Sequence, residues 1–268
     1  MKICVIVGSE GVLGTQIAQA KLSNPENIVI GFDQLDASSV SHERFQYVSG
    51  RVESRTDLSE LRKIIFEIQN KNNIENEIDC IINSFAAREF KFNEELIPET
   101  IAEQDWMLWG WLNYPDRDFL GQYDVNVVGI HRVLTELYEI YKDSRSCSVI
   151  NFSSQYAKRN LDQQLFKDLG HFIFKPPAYS ATKAAIQIYT EYLSQVFKNT
   201  GIRVNSIAPG VVDTGQVIEF KEKYSRTTNT GRLMKPSEIA GAIEFLTSDD
   251  SSYMNGTCLI LDGGWSSR

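Results

Sequence analysis

A tyrosine and a lysine four residues apart, Tyr179 and Lys183, are the pair in this chain whose types and spacing best suit proton transfer. On a helix, residues four apart lie on one face, one turn above each other. Free tyrosine titrates near ~10, and a neighbouring ammonium lowers that pKa at a gain of about 1.4 kcal/mol per unit. The pair would then be a general acid/base suited to interconverting a hydroxyl and a carbonyl. Because the motif is also common on exposed helix faces, the rest of the chain must supply its context.

A glycine-rich turn follows a short apolar segment at the N-terminus. A strand is expected over Lys2 to Val7 and a helix over Thr15 to Leu22, with three glycines at spacings of three residues between them. Glycines permit a tight turn and the close approach of a pyrophosphate, while the helix N-terminus offers free N–H groups. The alternative is a plain strand–helix turn with no ligand. We predict a dinucleotide phosphate site formed by Gly8, Glu10, Gly11, Val12, Leu13 and Gly14.

An aspartate, Asp33, stands at the end of the second apolar strand, which is expected over Asn27 to Phe32. An acidic side chain about 20 residues beyond the glycine turn can accept hydrogen bonds from the adenosine ribose. A carboxylate there repels a 2′-phosphate, so the sequence predicts NAD(H) rather than NADP(H). The alternative is that Asp33 only caps a loop.

The remaining elements alternate between strands and helices. Nearly continuous apolar strands separated by amphipathic helices predict one α/β domain, a doubly wound parallel sheet spanning residues 1–268. Right-handed crossovers place the candidate sites on one edge of the sheet. Further strands are expected over Phe45 to Val48, Asp79 to Asn83, Ser148 to Phe152, Ile202 to Ile207 and Thr257 to Leu261, and helices over Leu58 to Asn70, Asp124 to Tyr141, from Tyr179 to before Gly201, and Pro236 to Thr247.

Three segments interrupt this alternation, at about 88–122, 155–178 and 215–231. The first carries Trp106, Trp109 and Trp111, which either line a ligand pocket or subunit contact, or pack a helical insert onto the core; the second alternative is favoured. The third is polar, and we expect a mobile lid.

The composition excludes several classes of function. A net charge of −8 over 268 residues disfavours nucleic-acid and anionic-membrane surfaces, and no apolar run is long enough to span a bilayer. Four scattered cysteines and three histidines lack metal-ligand spacing, so no metal is expected. Reduced thiols and the absence of a recognisable signal peptide predict a cytoplasmic protein.

Taken together, these motifs resemble the short-chain dehydrogenase/reductase family over nearly the whole chain. The resemblance rests on the glycine turn, Asp33, the Asp124–Gly129 segment around Asn126, Ser154 after a strand, Tyr179 with Lys183, and the segments Arg203 to Thr214 and Leu261 to Trp265. It implies a Rossmann-like fold and NAD(H)-dependent interconversion of a secondary alcohol and a ketone.

The resemblance also implies roles for particular residues. Tyr179 would be the acid/base, Lys183 would lower its pKa and bind the nicotinamide ribose, Ser154 would hydrogen-bond the substrate oxygen, and Asn126 would hold a proton-relay water. Pro209, Gly210, Val212 and Thr214 would shape the nicotinamide pocket, and Asn83, Ser84 and Phe85 would adjoin the cofactor.

Several features depart from the family pattern. The family's usual Asn-Asn-Ala-Gly appears as Asn83-Ser84-Phe85-Ala86, an aspartate that meets adenine is replaced near Gly50-Arg51, and the glycine spacing is that of the extended branch. Ser154 and Tyr179 are 25 residues apart, about twice the usual separation, so Ser153 is the alternative to Ser154.

The long insert resembles a subgroup that acts in bacterial flagellin modification and surface-sugar synthesis. The substrate would then be a small molecule, an anionic or nucleotide-linked sugar, received by basic residues. A homodimer or homotetramer is expected through the helices that begin near Asn126 and Tyr179. Two alternatives stay open: a catalytically degenerate NAD(H)-binding sensor or scaffold, and an epimerase or dehydratase. The candidate basic residues are Arg88, Lys91, Lys158, Arg159 and Lys175, with Lys158 and Arg159 expected to affect KM.

Overall fold

A single parallel sheet forms the centre of the molecule. The computed structural model describes residues 1–74, 77–87, 106–160, 162–163 and 175–267, and within these ranges the strands number seven. Their order is β3-β2-β1-β4-β5-β6-β7. The doubly wound parallel sheet predicted from the alternating pattern is thereby confirmed. The strands are β1 (Lys2–Val7), β2 (Asn27–Asp33), β3 (Phe45–Ser49), β4 (Cys80–Asn83), β5 (Cys147–Phe152), β6 (Ile202–Pro209) and β7 (Cys258–Leu261).

Helices cover both faces of this sheet. Successive side chains of a strand point to opposite faces, so β1 contributes Ile3, Val5 and Val7 to one core and Cys4 and Ile6 to the other. The first core is closed by α2, α5 and α6, and the second by α1 and α8. The helices are α1 (Val12–Ser23), α2 (Arg55–Lys71), α3 (Trp106–Leu112), α4 (Asp116–Tyr123), α5 (Gly129–Tyr141), α6 (Pro177–Val196), α7 (Ile218–Ser225) and α8 (Glu238–Thr247).

The strand order reverses beside β1, which pairs with β2 on one side and β4 on the other. Connections from the two strands therefore leave in opposite directions and open a crevice at the carboxyl ends, where ligands gather in sheets of this kind. The glycine turn after β1, Asp33 after β2 and Ser84 after β4 all lie at that edge.

The helix containing Asn126 begins earlier than the sequence pattern predicts. Helix α4 starts at Asp116 and continues through one π-helical turn, Asp124–Val128, into α5. A π turn widens the helix locally and often marks a functional position.

The segment 215–231 is not simply a polar lid. It contains α7, whose Phe220 and Tyr224 are buried with Tyr156, Leu233 and Trp265 in a small apolar cluster. Apolar burial anchors this segment to the reaction side of the sheet, which its polar composition did not reveal.

The first insert is described only from residue 106 onward, where α3 and α4 confirm a local helical structure. Trp111 is 61% exposed, so this tryptophan does not pack on the core. Of the second insert, residues 155–160, 162–163 and 175–178 are described, including a 3-10 turn at Gln155–Ala157.

Among the described residues, none of the helices combines the length and hydropathy that crossing a bilayer requires. Over the same residues, no three His, Cys, Asp or Glu side chains gather in a group that could hold a metal ion.

Candidate active site

The glycine turn joins β1 to α1 so closely that two of its glycines are required by the fold. Gly8 has φ +87°, and a Cβ there would lie 2.7 Å from the Phe85 backbone nitrogen. A Cβ on Gly14 would collide with the Gly8 carbonyl oxygen. A Cβ on Gly11, in contrast, would make only an ordinary contact, 3.4 Å from the same oxygen. Any need for glycine at position 11 must therefore come from a ligand that approaches the turn.

A cavity of about 580 Å³ opens beside this turn. Its wall includes Gly8, Gly11 and Asp33, which the sequence predicted as cofactor contacts. Asp33 Oδ2 accepts a hydrogen bond from the Glu10 backbone N–H at 3.1 Å, which ties the end of β2 to the turn. The cavity is also lined by residues that sequence reasoning did not select: Gln34, Leu35, Val52, Glu53 and Val125.

Glu10 adds a second carboxylate beside Asp33. Its side chain accepts hydrogen bonds from the hydroxyl groups of Ser38 and Ser39 and from the Ser39 N–H. Burial acts to raise the pKa of Glu10, but these hydrogen bonds outweigh burial and leave the pKa below its ordinary value. The crevice beside the glycine turn therefore carries negative charge. Arg51 also lines this cavity and pairs with Glu53 at 3.0 Å.

Lys183 lies on α6 and is fully enclosed at the end of β5. Its Nζ donates a hydrogen bond to the Phe152 carbonyl oxygen at 2.8 Å and lies 5.9 Å from the centre of the Tyr179 ring. Burial, and secondly the charge of Lys175, lower the pKa of Lys183 from 10.5 to about 7. The predicted tyrosine–lysine pair therefore lies on one helix face above the carboxyl end of the sheet.

The two serines after β5 have different surroundings. Ser153 donates a hydrogen bond from its hydroxyl to the Lys183 carbonyl oxygen at 2.8 Å and accepts one from the Gln187 amide at 3.0 Å. Ser154 accepts a hydrogen bond from the Tyr156 N–H at 3.2 Å, and its hydroxyl hydrogen remains available to a substrate oxygen. The geometry thus favours Ser154 over Ser153 as the substrate-binding serine.

Asn126 lies in the π turn and is almost fully buried. Its side-chain oxygen accepts a hydrogen bond from the Ala87 N–H at 2.7 Å, and its amide donates to the Thr182 hydroxyl at 3.0 Å. Asn126 therefore connects the β4 loop to α6 beside Lys183. The proton-relay water at this residue stays a prediction.

A second cavity, of about 280 Å³, contains the reaction side of the crevice. It shares three wall residues with the first cavity, so a ligand in one can extend into the other. Its wall includes Ser84, Phe85, Leu13, Ser154, Tyr179, Lys183, Pro209, Gly210 and Val212 from the sequence prediction, together with Lys175, Gln155, Tyr156 and Gln216.

Four predicted cofactor residues line neither cavity. Val12 is 48% exposed, and Gly14 is packed against the backbone of the glycine turn. Thr214 is exposed, whereas Gln216, two residues later, lines the second cavity. Asn83 points into the sheet, where its amide donates to Asn151 at 2.9 Å. Where the family usually has Asn-Asn-Ala-Gly, this chain has Asn83-Ser84-Phe85-Ala86. Within this segment Ser84 and Phe85 line the crevice, and Asn83 does not.

Only some of the predicted basic residues that the structure describes line a cavity. Lys175 lines the second cavity, whereas Lys158 and Arg159 are exposed and contribute to neither cavity wall. Arg88 and Lys91 lie outside the described residues.

A dinucleotide-binding oxidoreductase is the class of protein defined by the order of the strands, the glycine turn and the tyrosine–lysine pair. Residues 100–266 match a family model described as enoyl-(acyl carrier protein) reductase. The chain belongs to the short-chain dehydrogenase/reductase family.

Individual relatives are similar over nearly the whole chain. A 3-oxoacyl-[acyl-carrier-protein] reductase of Chlamydia trachomatis is 26% identical over 98% of this chain and 96% of its own length. Glucose 1-dehydrogenase 2 of Bacillus subtilis is 24% identical over 98% of this chain and 94% of its own length. The crystal structure of a short chain dehydrogenase from Leptospira borgpetersenii with bound NAD+ is 26% identical, covers 99% of this chain and 92% of its own, and has a TM-score of 0.80.

The different surroundings of the glycines predict different effects of alanine. Gly11→Ala should leave the free energy of unfolding within about 1 kcal/mol of the wild type but weaken NADH binding by about tenfold or more, because the added methyl group meets the pyrophosphate. Gly14→Ala, the matched variant, should lose about 2 kcal/mol or more because a backbone atom occupies the space. Urea unfolding and NADH fluorescence titration measure both effects; unchanged NADH binding by a folded Gly11→Ala variant would contradict the first.

Burial of Lys183 makes stability depend on pH in a defined direction. The unfolded chain keeps this proton up to about pH 10.5 and the folded chain only up to about 7, so the stability contribution of this group rises with pH between these values. Lys183→Met should therefore be more stable than the wild type in the absence of cofactor, with a gain that is largest below pH 7 and shrinks toward pH 10.5. Urea unfolding of both proteins at pH 6, 8 and 10 measures the gain. An equal difference at all three pH values would rule out this account of the buried ammonium.

Proposed function

We propose that this protein is an NAD(H)-dependent oxidoreductase that interconverts a secondary alcohol and a ketone of a small molecule. One observation carries the proposal: Tyr179, Lys183 and Ser154 share the wall of a cavity that is joined to the cavity beside the glycine turn. A dinucleotide placed along both cavities would bring its reactive end to the tyrosine. Gly11, whose Cβ position the fold does not block, and Asp33 in the cavity wall fit such a cofactor.

In the reduction direction, Tyr179 gives its phenolic proton to the substrate oxygen and Ser154 donates a hydrogen bond to the same oxygen. Aligned donors at a developing oxyanion commonly contribute a few kcal/mol. When bound, the nicotinamide supplies the hydride that reaches the carbonyl carbon, or accepts it in oxidation. Lys183 would hold the nicotinamide ribose, and its ammonium form would stabilise negative charge on the tyrosine oxygen. In oxidation, Tyr179 accepts the proton of the substrate hydroxyl.

NAD(H) is proposed over NADP(H) because the adenosine cavity is acidic. Asp33 and Glu10 bring two carboxylates to the glycine turn, and a 2′-phosphate there would meet both charges. Arg51 is the one described cation in this cavity wall, and Glu53 balances its charge. The similar Leptospira structure, which holds NAD+, supports the same cofactor.

A sugar is proposed as substrate, in agreement with the glucose dehydrogenase among the relatives. An anionic or nucleotide-linked sugar remains part of this proposal. The relatives cited here do not support the flagellin-modification and surface-sugar subgroup. A 3-oxoacyl thioester is the second candidate, because 3-oxoacyl-[acyl-carrier-protein] reductase has the same full-length similarity.

Neither non-redox alternative is favoured. A sensor or scaffold has no need for Ser154, Tyr179 and Lys183 around one cavity, with Asn126 bonded to Thr182 beside Lys183. The glycine spacing alone suggested epimerase or dehydratase chemistry. The two relatives that are similar over nearly their full length are instead named as a reductase and a dehydrogenase.

Assembly into a homodimer or homotetramer is proposed through α5 and α6. Their outer faces expose Tyr138, Ile188, Tyr192 and Val196, at 43%, 65%, 61% and 53%. Apolar side chains gathered on one surface are typical of subunit contacts. A cytoplasmic location is proposed because Cys4, Cys80, Cys147 and Cys258 are all free thiols.

Removing the phenolic hydroxyl should remove catalysis but not cofactor binding. Tyr179→Phe should lower kcat by about 10²-fold or more, since the general acid is lost while the ring keeps its packing. NADH affinity, measured by nicotinamide fluorescence, should change by less than about threefold. Tyr156→Phe is the matched control, because Tyr156 lines the same cavity and its ring centre lies 6.3 Å from that of Tyr179. Full activity of Tyr179→Phe would exclude the proposed mechanism.

Cofactor preference should follow the charge of Asp33. Wild-type protein should bind NADH at least about tenfold more tightly than NADPH, equivalent to about 1.4 kcal/mol. Asp33→Asn should reduce this ratio of affinities, because NADH binding becomes weaker and NADPH binding becomes tighter. Asp36→Asn, a matched loss of charge outside the cavity wall, should leave the ratio unchanged. If the wild type binds NADPH more tightly than NADH, the proposed NAD(H) preference is wrong, and Arg51 becomes the candidate contact for the 2′-phosphate.

A further inference from the structure

The chain between β2 and β3 forms an outer wall of the cavity beside the glycine turn. Residues 34–44, which make this connection, contain no helix or strand. Gln34 and Leu35 line the cavity, although both are exposed residues. An irregular, exposed segment opens readily unless specific bonds hold it. The shape of this wall therefore depends on the bonds made by segment 34–40.

Glu10 in the glycine turn supplies three of these bonds. Its Oε1 accepts a hydrogen bond from the Ser38 hydroxyl at 2.6 Å. Its Oε2 accepts two from Ser39, one from the backbone N–H and one from the hydroxyl, each at 2.7 Å. Hydrogen bonds to a carboxylate are stronger than those between neutral groups. Glu10 thus ties segment 34–40 to the turn that follows β1.

Tyr47 on β3 holds the same segment at a second point. Its hydroxyl donates a hydrogen bond to the Leu35 carbonyl oxygen at 2.6 Å. Burial, followed by the charges of three neighbouring carboxylates, raises the pKa of Tyr47 to about 12, so the hydroxyl keeps its proton at neutral pH. With one attachment at Leu35 and the other at Ser38 and Ser39, the part of the segment that lines the cavity is held near both of its ends.

The carboxylate of Glu10 is fully used by these contacts within the protein. A carboxylate offers about four lone-pair sites, and besides the three bonds to segment 34–40, Oε1 accepts a longer one from the Ser9 hydroxyl at 3.4 Å. Asp33 accepts only two among the described residues, from the Glu10 N–H at 3.1 Å and the Leu35 N–H at 3.4 Å. Asp33 can therefore bond a ribose hydroxyl directly, whereas Glu10 would first have to release the segment.

We infer that Glu10 is a positioning residue, which holds segment 34–40 against the glycine turn so that the wall exists before the adenosine half of the cofactor binds. Glu10 acts through Ser38 and Ser39 and not by touching the cofactor. This inference rests on the proposed function, because it places a dinucleotide in this cavity. A wall formed in advance raises affinity, since the ligand does not have to order the segment on binding.

Calorimetric titration with ADP-ribose, which lacks only the nicotinamide ring, tests this role. Glu10→Ala should weaken ADP-ribose binding by about tenfold or more, because the ligand must then order the segment. Glu10→Gln should stay within about threefold of the wild type, since its amide can accept from Ser39 and donate to Ser38. Asp36→Ala, the matched control, removes a carboxylate of the same segment that lines neither cavity, and should leave the affinity unchanged. Tighter binding by Glu10→Ala, as expected if the carboxylate only repels the phosphates, would overturn the inference.

A double-mutant cycle distinguishes action through the serines from direct contact. Ser38→Ala/Ser39→Ala should weaken ADP-ribose binding by about threefold or more, because two of the three bonds from the segment to Glu10 are lost. In that background Glu10→Ala should cause a smaller loss than in the wild type, since residues that share a contact have non-additive effects. Equal losses in both backgrounds would indicate direct contact with the ligand and overturn the inference. The serine variant leaves the glycine turn intact, so it tests the contact even if Glu10→Ala does not fold.

Hydrogen–deuterium exchange measures the segment in the absence of ligand. The Ser39 N–H is bonded to Glu10 in the wild type, and it should exchange about tenfold faster or more in Glu10→Ala. The amides of β1 serve as the internal control and should exchange at the wild-type rate. An unchanged rate at Ser39 would show that Glu10 does not hold the segment.

The outcomes separate this inference from the proposed function. If NADH binds but Glu10→Ala leaves ADP-ribose affinity unchanged, the inference fails and the proposed function stands. If ADP-ribose binding follows the expected pattern while Tyr179→Phe keeps full activity, the proposed mechanism fails and the inference stands. If the wild type binds neither NADH nor ADP-ribose, both fail.

Discussion

Burial of one ammonium group organises the reaction side of this protein. Lys183 is enclosed between α6 and the sheet, and an enclosed charge is tolerated only where a strong acceptor meets it. The Phe152 carbonyl oxygen at the end of β5 is that acceptor. The Ser153 hydroxyl donates to the Lys183 backbone carbonyl oxygen and accepts from the side-chain amide of Gln187, one turn later. These contacts fix the rotation of α6 on the sheet. Tyr179, one turn before Lys183, consequently lines the same cavity as Ser154.

Asn126 extends this constraint to the other side of the crevice. Its side chain reaches both Ala87 after β4 and Thr182 on α6, and the π turn gives it the position to do so. The loop after β4 and helix α6 are thereby connected through one buried amide. A fixed distance between them matters for catalysis because misplacement of reacting groups by about 1 Å can cost about 10²-fold in rate.

The family fold leaves the choice of substrate to local side chains. Relatives with full-length similarity bear names as different as glucose dehydrogenase and acyl-carrier-protein reductase, and they are only 24% and 26% identical to this chain. In this crevice the described wall residues include carboxylates beside the glycine turn and lysines beside the tyrosine.

Local patterns in the sequence determined the order of strands and helices, the glycine turn and the tyrosine–lysine pair, because strand hydrophobicity, glycine geometry and helical spacing act between near neighbours. Only the tertiary structure decided which of the selected residues face the crevice. Asn83 turned inward because Asn151 on the adjacent strand offers a hydrogen bond, and Phe220 and Tyr224 anchored a polar-looking segment through contacts distant in sequence. Likewise, the sequence did not distinguish Lys158, Arg159 and Lys175, whereas among these three described residues the packing of the chain before α6 places Lys175 against Tyr179. Such choices depend on partners that no local pattern contains.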